Sequence, residues 1–118
     1  MLEAFQVEAR EHSSLWVFNT HGYINNTGGE AITKKFQEVF AKGGRKFLFD
    51  LADSRIINSI GISHLIEILE RILESKGELA FCNCAPIIEK TFKIMGINQY
   101  ANIYKTPEEA MSEMLGTS

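Results

Sequence analysis

The order of apolar patterns along this sequence predicts an α/β fold built on a small mixed sheet, largely parallel. Three observations carry that expectation. Near the amino terminus two short apolar runs are separated by a tight polar turn, as in a hairpin. After them, strand-like runs alternate with stripes of helical period, the pattern of strand–helix–strand units. Glycines and capping residues fall where the stripes stop and start, which punctuates the elements. The predicted order is β-β-α-β-α-β-α-β-α, and right-handed crossovers then decide which faces the helices cover.

Leu2 to Ala9 alternate, with Phe5, Val7 and Ala9 on one side, and predict a first strand. Glu11 to Ser14 make the turn, and Leu15-Trp16-Val17-Phe18 give a second strand that ends towards His21-Gly22. Thr27-Gly28-Gly29-Glu30 fits a capping box, in which hydroxyl and carboxylate satisfy reciprocal backbone donors at a helix start. The paired glycines lack a Walker pattern, so capping accounts for them without a nucleotide. Ile32, Phe36, Val39 and Phe40 form that helix's stripe, and Gly43-Gly44 close it. Lys46 to Leu51 then read as a strand buried on both faces.

The longest stripe is Ile62, Leu65, Ile66, Leu69, Ile72 and Leu73, at i, i+3, i+4, i+7, i+10 and i+11, with Gly77 as the stop. Glu78 to Cys84 return as a strand, and Pro86 suits the first position of a further helix. Ile88, Phe92 and Met95 face inward on it, and Gly96 ends it. Asn102-Ile103-Tyr104 supply a last short strand. Thr106-Pro107-Glu108-Glu109 combine an N-cap, an N1 proline and a second capping box before a terminal helix that ends near Leu115.

At 118 residues the chain is expected to form one domain, 1–118, large enough to bury its own core. No apolar run approaches the ~20 residues of a membrane span, and the opening MLEAFQVEAR has neither the basic nor the apolar region of a signal peptide. A cytoplasmic protein is the expectation. The net charge of −3 and the scattered basic residues speak against nucleic acid as a main ligand. Cys82 and Cys84, two apart in a predicted strand, are expected on one face; their spacing is neither CxxC nor a zinc set, and the geometry is poor for a disulfide. No metal or cofactor is implied.

Between the Lys46 strand and the long helix lies Asp50 to Ile62, DLADSRIINSIGI. Ser59 sits near the first turn, where free backbone N–H groups and the helix dipole favour an anion. This segment resembles the STAS domain of bacterial anti-sigma factor antagonists, marked by an acidic strand end, here Asp50-Leu51, and an Asp-Ser-x-Gly-Leu-like turn that opens a helix. The resemblance extends through Gly77 to Phe81, Ala85 to Ile88 and Met95-Gly96-Ile97, and it implies the STAS fold, with helices mainly on one face of a small sheet. By position, Ser59 corresponds to the serine that a partner kinase phosphorylates in that family, Gly61 to the family glycine and Ile62 to the Leu. Asn58 replaces the family's Asp. Gly22-Tyr23-Ile24-Asn25 matches a loop that helps to grip partners, again with Asn in place of an acid.

The resemblance implies a non-enzymatic antagonist that binds an anti-sigma factor serine kinase and is reset by a serine phosphatase. Two other roles stay open: a STAS subunit supporting the ATPase of a lipid ABC transporter, and a STAS scaffold not regulated by phosphorylation. Ser59 also suits a plain helix N-cap, a role compatible with later phosphorylation. A hydrolase nucleophile is disfavoured, since Ile57 stands where the elbow needs Gly, and His12 and His21 fall in early loops without an evident carboxylate. Ile60, His64 and Ile68 recur at i, i+4 and i+8 opposite the stripe. They are expected to start a solvent-facing strip beside Ser59, with Ile68 alternatively a shoulder of the core.

Overall fold

The computed structural model describes residues 4–116, so Leu2 of the expected first strand lies outside the described residues. Among these, five strands and four helices follow in the order β1 (Gln6–His12), β2 (Leu15–His21), α1 (Asn26–Ala41), β3 (Lys46–Asp53), α2 (Ser59–Glu74), β4 (Glu78–Cys82), α3 (Pro86–Ile94), β5 (Asn102–Tyr104) and α4 (Pro107–Leu115). A single 3-10 turn, Ile97–Gln99, precedes β5 and was not foreseen. The strands lie side by side in chain order; β1 and β2 are antiparallel and every later pair is parallel. This is the mixed, mostly parallel sheet that the sequence predicts.

Alternation along each strand divides the interior into two layers. Phe18, Phe47, Phe49 and Phe81 face α1, α2 and α3, and pack with Phe36, Leu65, Ile88 and Phe92 into the main core. Phe18 stacks on Phe49 at 4.9 Å between ring centroids, and Phe81 meets Phe92 at 4.7 Å. Leu15, Val17, Leu48, Ala80 and Cys82 face the other way and are covered by Ala110 and Met114 of α4. Three helices therefore share one face and the last covers the other.

Several element boundaries and facings differ from expectation. β1 runs on to His12, so the turn shrinks to Ser13-Ser14, with Ser13 at φ 57°. Helix α1 opens at Asn25, whose Oδ1 accepts from the Gly28 N–H at 3.0 Å; Thr27 lies inside the helix, and no capping box forms there. A cap needs an extended residue, and Asn25 is the one at φ −109°. In α2 Ile68 is 2% exposed and belongs to the core, because α1 packs along that flank, while Leu73 is exposed. Past α2, the left-handed residue is Lys76 at φ 63°; Gly77 is instead demanded by close approach, since a Cβ there would overlap the Arg45 carbonyl.

β4 stops at Cys82, and the left-handed Asn83 (φ 56°) turns the chain over. Cys82 consequently packs under α4 and Cys84 against the opposite core, not on one face as expected. Burial, then nearby Glu89 and Asp50, push the Cys84 thiol up to about 12. Burial raises that of Cys82 as well. In α3 Ile88 and Phe92 point inward, but Met95 is half exposed and Ile97 takes its expected place. Gly96, at φ 77°, closes the helix as predicted, and Thr106 caps α4 by accepting from the Glu109 N–H at 3.1 Å.

Candidate functional site at the start of helix α2

At the carboxyl ends of the parallel strands, two loops run side by side: residues 22–25 after β2 and 54–58 after β3. Backbone bonds zip them together. The Gly22 N–H donates to the Asp53 carbonyl at 2.9 Å, Ile24 N–H to Ile56 at 3.0 Å and Asn58 N–H to Ile24 at 3.2 Å. Ile24 is fully buried and forms an isolated parallel bridge with Ile57. Beneath the loops, the hydroxyls of Thr20 and Ser54 share a buried hydrogen bond of 2.7 Å. The start of α2 is thus set on a braced platform.

Asn58, not Ser59, caps α2. Its Oδ1 accepts from the Gly61 N–H at 2.8 Å, and its carbonyl accepts from Ile62 at 2.9 Å. Ser59 becomes the first residue of the helix proper and is exposed. With Gly61 and Ile62 satisfied by Asn58, the Ser59 and Ile60 N–H groups are the first-turn donors left beside the serine side chain. Ser59's own carbonyl accepts from the Ser63 hydroxyl at 3.0 Å. Gly61 has no alternative, since a Cβ at that position would overlap the Ile24 carbonyl.

The expected partner residues divide into two groups. Tyr23 (45% exposed), Ile60 (50%), Gly22 and Ser59 are open to solvent, and Ile56 (61%), which the sequence did not single out, stands among them. Ile24, Gly61 and Ile62 are buried and hold the frame, while Asn25 and Asn58 are half-buried caps. The His64 ring turns towards α1, where its Nδ1 meets Thr33 Oγ1 at 3.2 Å over Gly29, at which no Cβ would fit. With Ile68 buried as well, the expected strip along α2 reduces to Ile60.

A family model described as the STAS domain matches residues 6–110 of this chain. The chain belongs to the STAS family. A Thermotoga neapolitana protein assigned as an anti-sigma factor antagonist is 28% identical over 81 residues, 69% of this chain and 72% of its own length. The fold also matches the crystal structure of a Thermotoga maritima protein assigned the same role, at TM-score 0.84 and 23% identity, over 91% of this chain and 92% of that one. The Bacillus cell fate determinant SpoIIAA in its phosphorylated form matches at TM-score 0.74 and 20% identity, over 94% and 99%.

One feature of this STAS domain escaped the sequence. His21, the last residue of β2, lies between two carboxylates: its Nδ1 is 2.8 Å from Asp53 Oδ2 and its Nε2 is 3.1 Å from Glu8 Oε1. A ring facing an acceptor at each nitrogen satisfies both only as imidazolium. These hydrogen bonds, Glu8 first and Asp53 second, raise the His21 pKa above 6.5 against a small opposing effect of burial. The expectation of a histidine without a carboxylate partner is therefore overturned, for a reason of topology: Glu8 and Asp53 reach it only through the β1–β2 and β2–β3 pairings. Along with Gln6 and Arg55, this cluster lines an open recess of ≈ 500 Å³ beside Gly22.

Proposed function

We propose that this STAS protein is an anti-sigma factor antagonist, that it binds an anti-sigma factor which is also a serine kinase, and that phosphorylation of Ser59 releases it until a serine phosphatase resets it. The observation that carries the proposal is the position of Ser59: exposed and first in α2, where the paired loops that lead into the helix also expose Tyr23 and Ile56 and the next residue, Ile60, is exposed too. The assigned role of the Thermotoga neapolitana protein and the phosphorylated state of SpoIIAA point the same way.

The physics of the switch follows from that setting. A phosphoserine brings a charge of roughly −1.5 to −2, which the free first-turn N–H groups and the α2 dipole stabilise by about 0.3–1 kcal/mol in the unbound protein. Once a partner covers Tyr23, Ile56 and Ile60, the same charge must be desolvated against apolar surface, at a cost of several kcal/mol. Every 1.4 kcal/mol is a factor of about ten in affinity. The free form tolerates phosphate and the bound form does not. Asn58, neutral where the family has an acid, caps the helix without adding a carboxylate next to the phosphate.

Paired capture from native lysate tests this, with Ser59→Ala and Ser59→Asp proteins as bait. A kinase-like anti-sigma factor held by the first and lost by the second is the expected result, and Ile60→Asp is expected to weaken the capture while the fold survives. A transporter ATPase or other STAS chains held equally by both baits would displace the proposal.

A further inference from the structure

We infer that this protein self-associates through the outer surface of α2 and α3, as a two-fold dimer in which α2 of each copy lies over α3 of the other. The inference stands on residues remote from Ser59 and is independent of the switch. Between α2 and the segment that follows α3 runs a valley of ≈ 310 Å³ whose lining includes Ile66, Leu69, Leu73, Met95, Ile97 and Tyr100. Leu73, Met95 and Tyr100 are exposed there, and Ile94 on α3 is 75% exposed. At ~100° per residue Ile87 and Ile94 fall on the same slope of α3, the one leading down to Met95. So much aliphatic and aromatic surface in one strip is a contact surface awaiting a cover.

Charge identifies the cover. The crest of α2 on one side of the valley carries Glu67, Glu70 and Glu74, within about 60° of each other around the helix. The crest of α3 on the other side carries Lys90, with Lys93 beside it bound to Glu89 at 2.9 Å. None of the three α2 carboxylates is in an ion pair among the described residues. Arg71 stands among these carboxylates but reaches towards the Phe40 ring of α1, 5.1 Å from its centroid, so the α2 bank stays net acidic, as the α3 bank stays net basic with Glu89 counted. The surface is acidic on one bank, apolar in the middle and basic on the other, which makes it complementary to itself.

Geometry then selects one arrangement. Both helices follow strands of the parallel part of the sheet, so they run in the same direction. Two copies stacked valley to valley can be related by a two-fold axis across the helices or along them. The first sets acidic crest on acidic crest; the second sets each acidic crest on the partner's basic one. The axis along the helices also brings both Ser59 ends to the same end of the dimer, outside the contact.

Sedimentation equilibrium of the full chain over a wide concentration range tests the inference, with circular dichroism to verify the fold of each variant. The wild type is expected to show a monomer–dimer equilibrium, and Ile94→Lys, at a site already open to solvent, to raise the dissociation constant at least about tenfold. Glu70→Lys with Glu74→Lys makes both banks basic, and Lys90→Glu with Lys93→Glu makes both acidic. Each double variant is expected to be monomeric alone, and the two mixed are expected to associate. A wild type that stays monomeric throughout overturns the inference, as does a dimer indifferent to Ile94→Lys or a mixture of folded charge variants that does not associate.

Discussion

Single residues at the start of α2 show how a polar side chain fixes a functional position. Asn58 closes the helix on its own side chain, and Gly61 lets the Ile24 carbonyl come against the first turn, so Ser59 is left exposed by the needs of its neighbours. Asn58→Ala is expected to cost about 1 kcal/mol in urea denaturation, the usual value of a lost N-cap, while Asn58→Asp keeps the acceptor and stays within a few tenths. A neutral result for the alanine would mean that the brace of the 22–25 loop, not the cap, sets the helix start. The place of Ser59 near the first turn was legible in the sequence because a strand end, a polar turn and a helical stripe occur in that order; Gly61 was marked only by the family resemblance, since its reason, the approach of the Ile24 carbonyl, is a tertiary contact. The capping residues were only half legible. Thr27-x-x-Glu30 satisfies the capping pattern as well as Asn25 does, and only the chain's entry from the bridge at Ile24 makes Asn25 the extended residue.

At the scale of elements, the strands and helices were legible wherever their own period decides them, and illegible wherever a neighbour does. Ile68 lies off the main stripe of α2 and is buried because α1 flanks it. His21 ends a strand whose partners on both sides present carboxylates, which no local pattern announces. Glu8, His21 and Asp53 tie the ends of β1, β2 and β3 together, with Arg55 as the nearby cation in the same recess. Because the His21 pKa is raised on folding, its contribution to stability is full below the unfolded value of 6.5. It is lost as pH rises through the higher folded value. The difference in urea stability between wild type and His21→Gln is therefore expected to shrink from mildly acidic to alkaline pH, and to shrink further in salt, since all three side chains are solvent-exposed in part. A difference that is flat or grows with pH would show that the pair is too mobile to act as a tie.

The whole molecule is a sheet that must be covered twice, and the two covers are unequal. Helices α1, α2 and α3 arise from successive crossovers of one hand between strands that lie in chain order, and so share a face, as the STAS resemblance implied. That α4 must take the other face follows from strand alternation, since Leu15, Val17, Leu48, Ala80 and Cys82 would otherwise meet water. The sequence hid this because β3 reads as apolar on both sides without saying what lies on each. One nine-residue helix thus completes the burial of the central strands, with Lys46 Nζ donating to the Met114 carbonyl at 3.2 Å to pin its end to β3. Ala110, fully buried where α4 presses on the sheet, is the sensitive point of that layer. Ala110→Asp would place an unpaired carboxylate against an apolar face and is expected to lower stability by more than about 3 kcal/mol in urea denaturation, with Glu113→Ala on the exposed side of α4 within about 0.5 kcal/mol as the control. A loss below about 1 kcal/mol for the buried substitution would mean that α4 can lift away without unfolding the sheet, leaving the three-helix face to hold the fold alone.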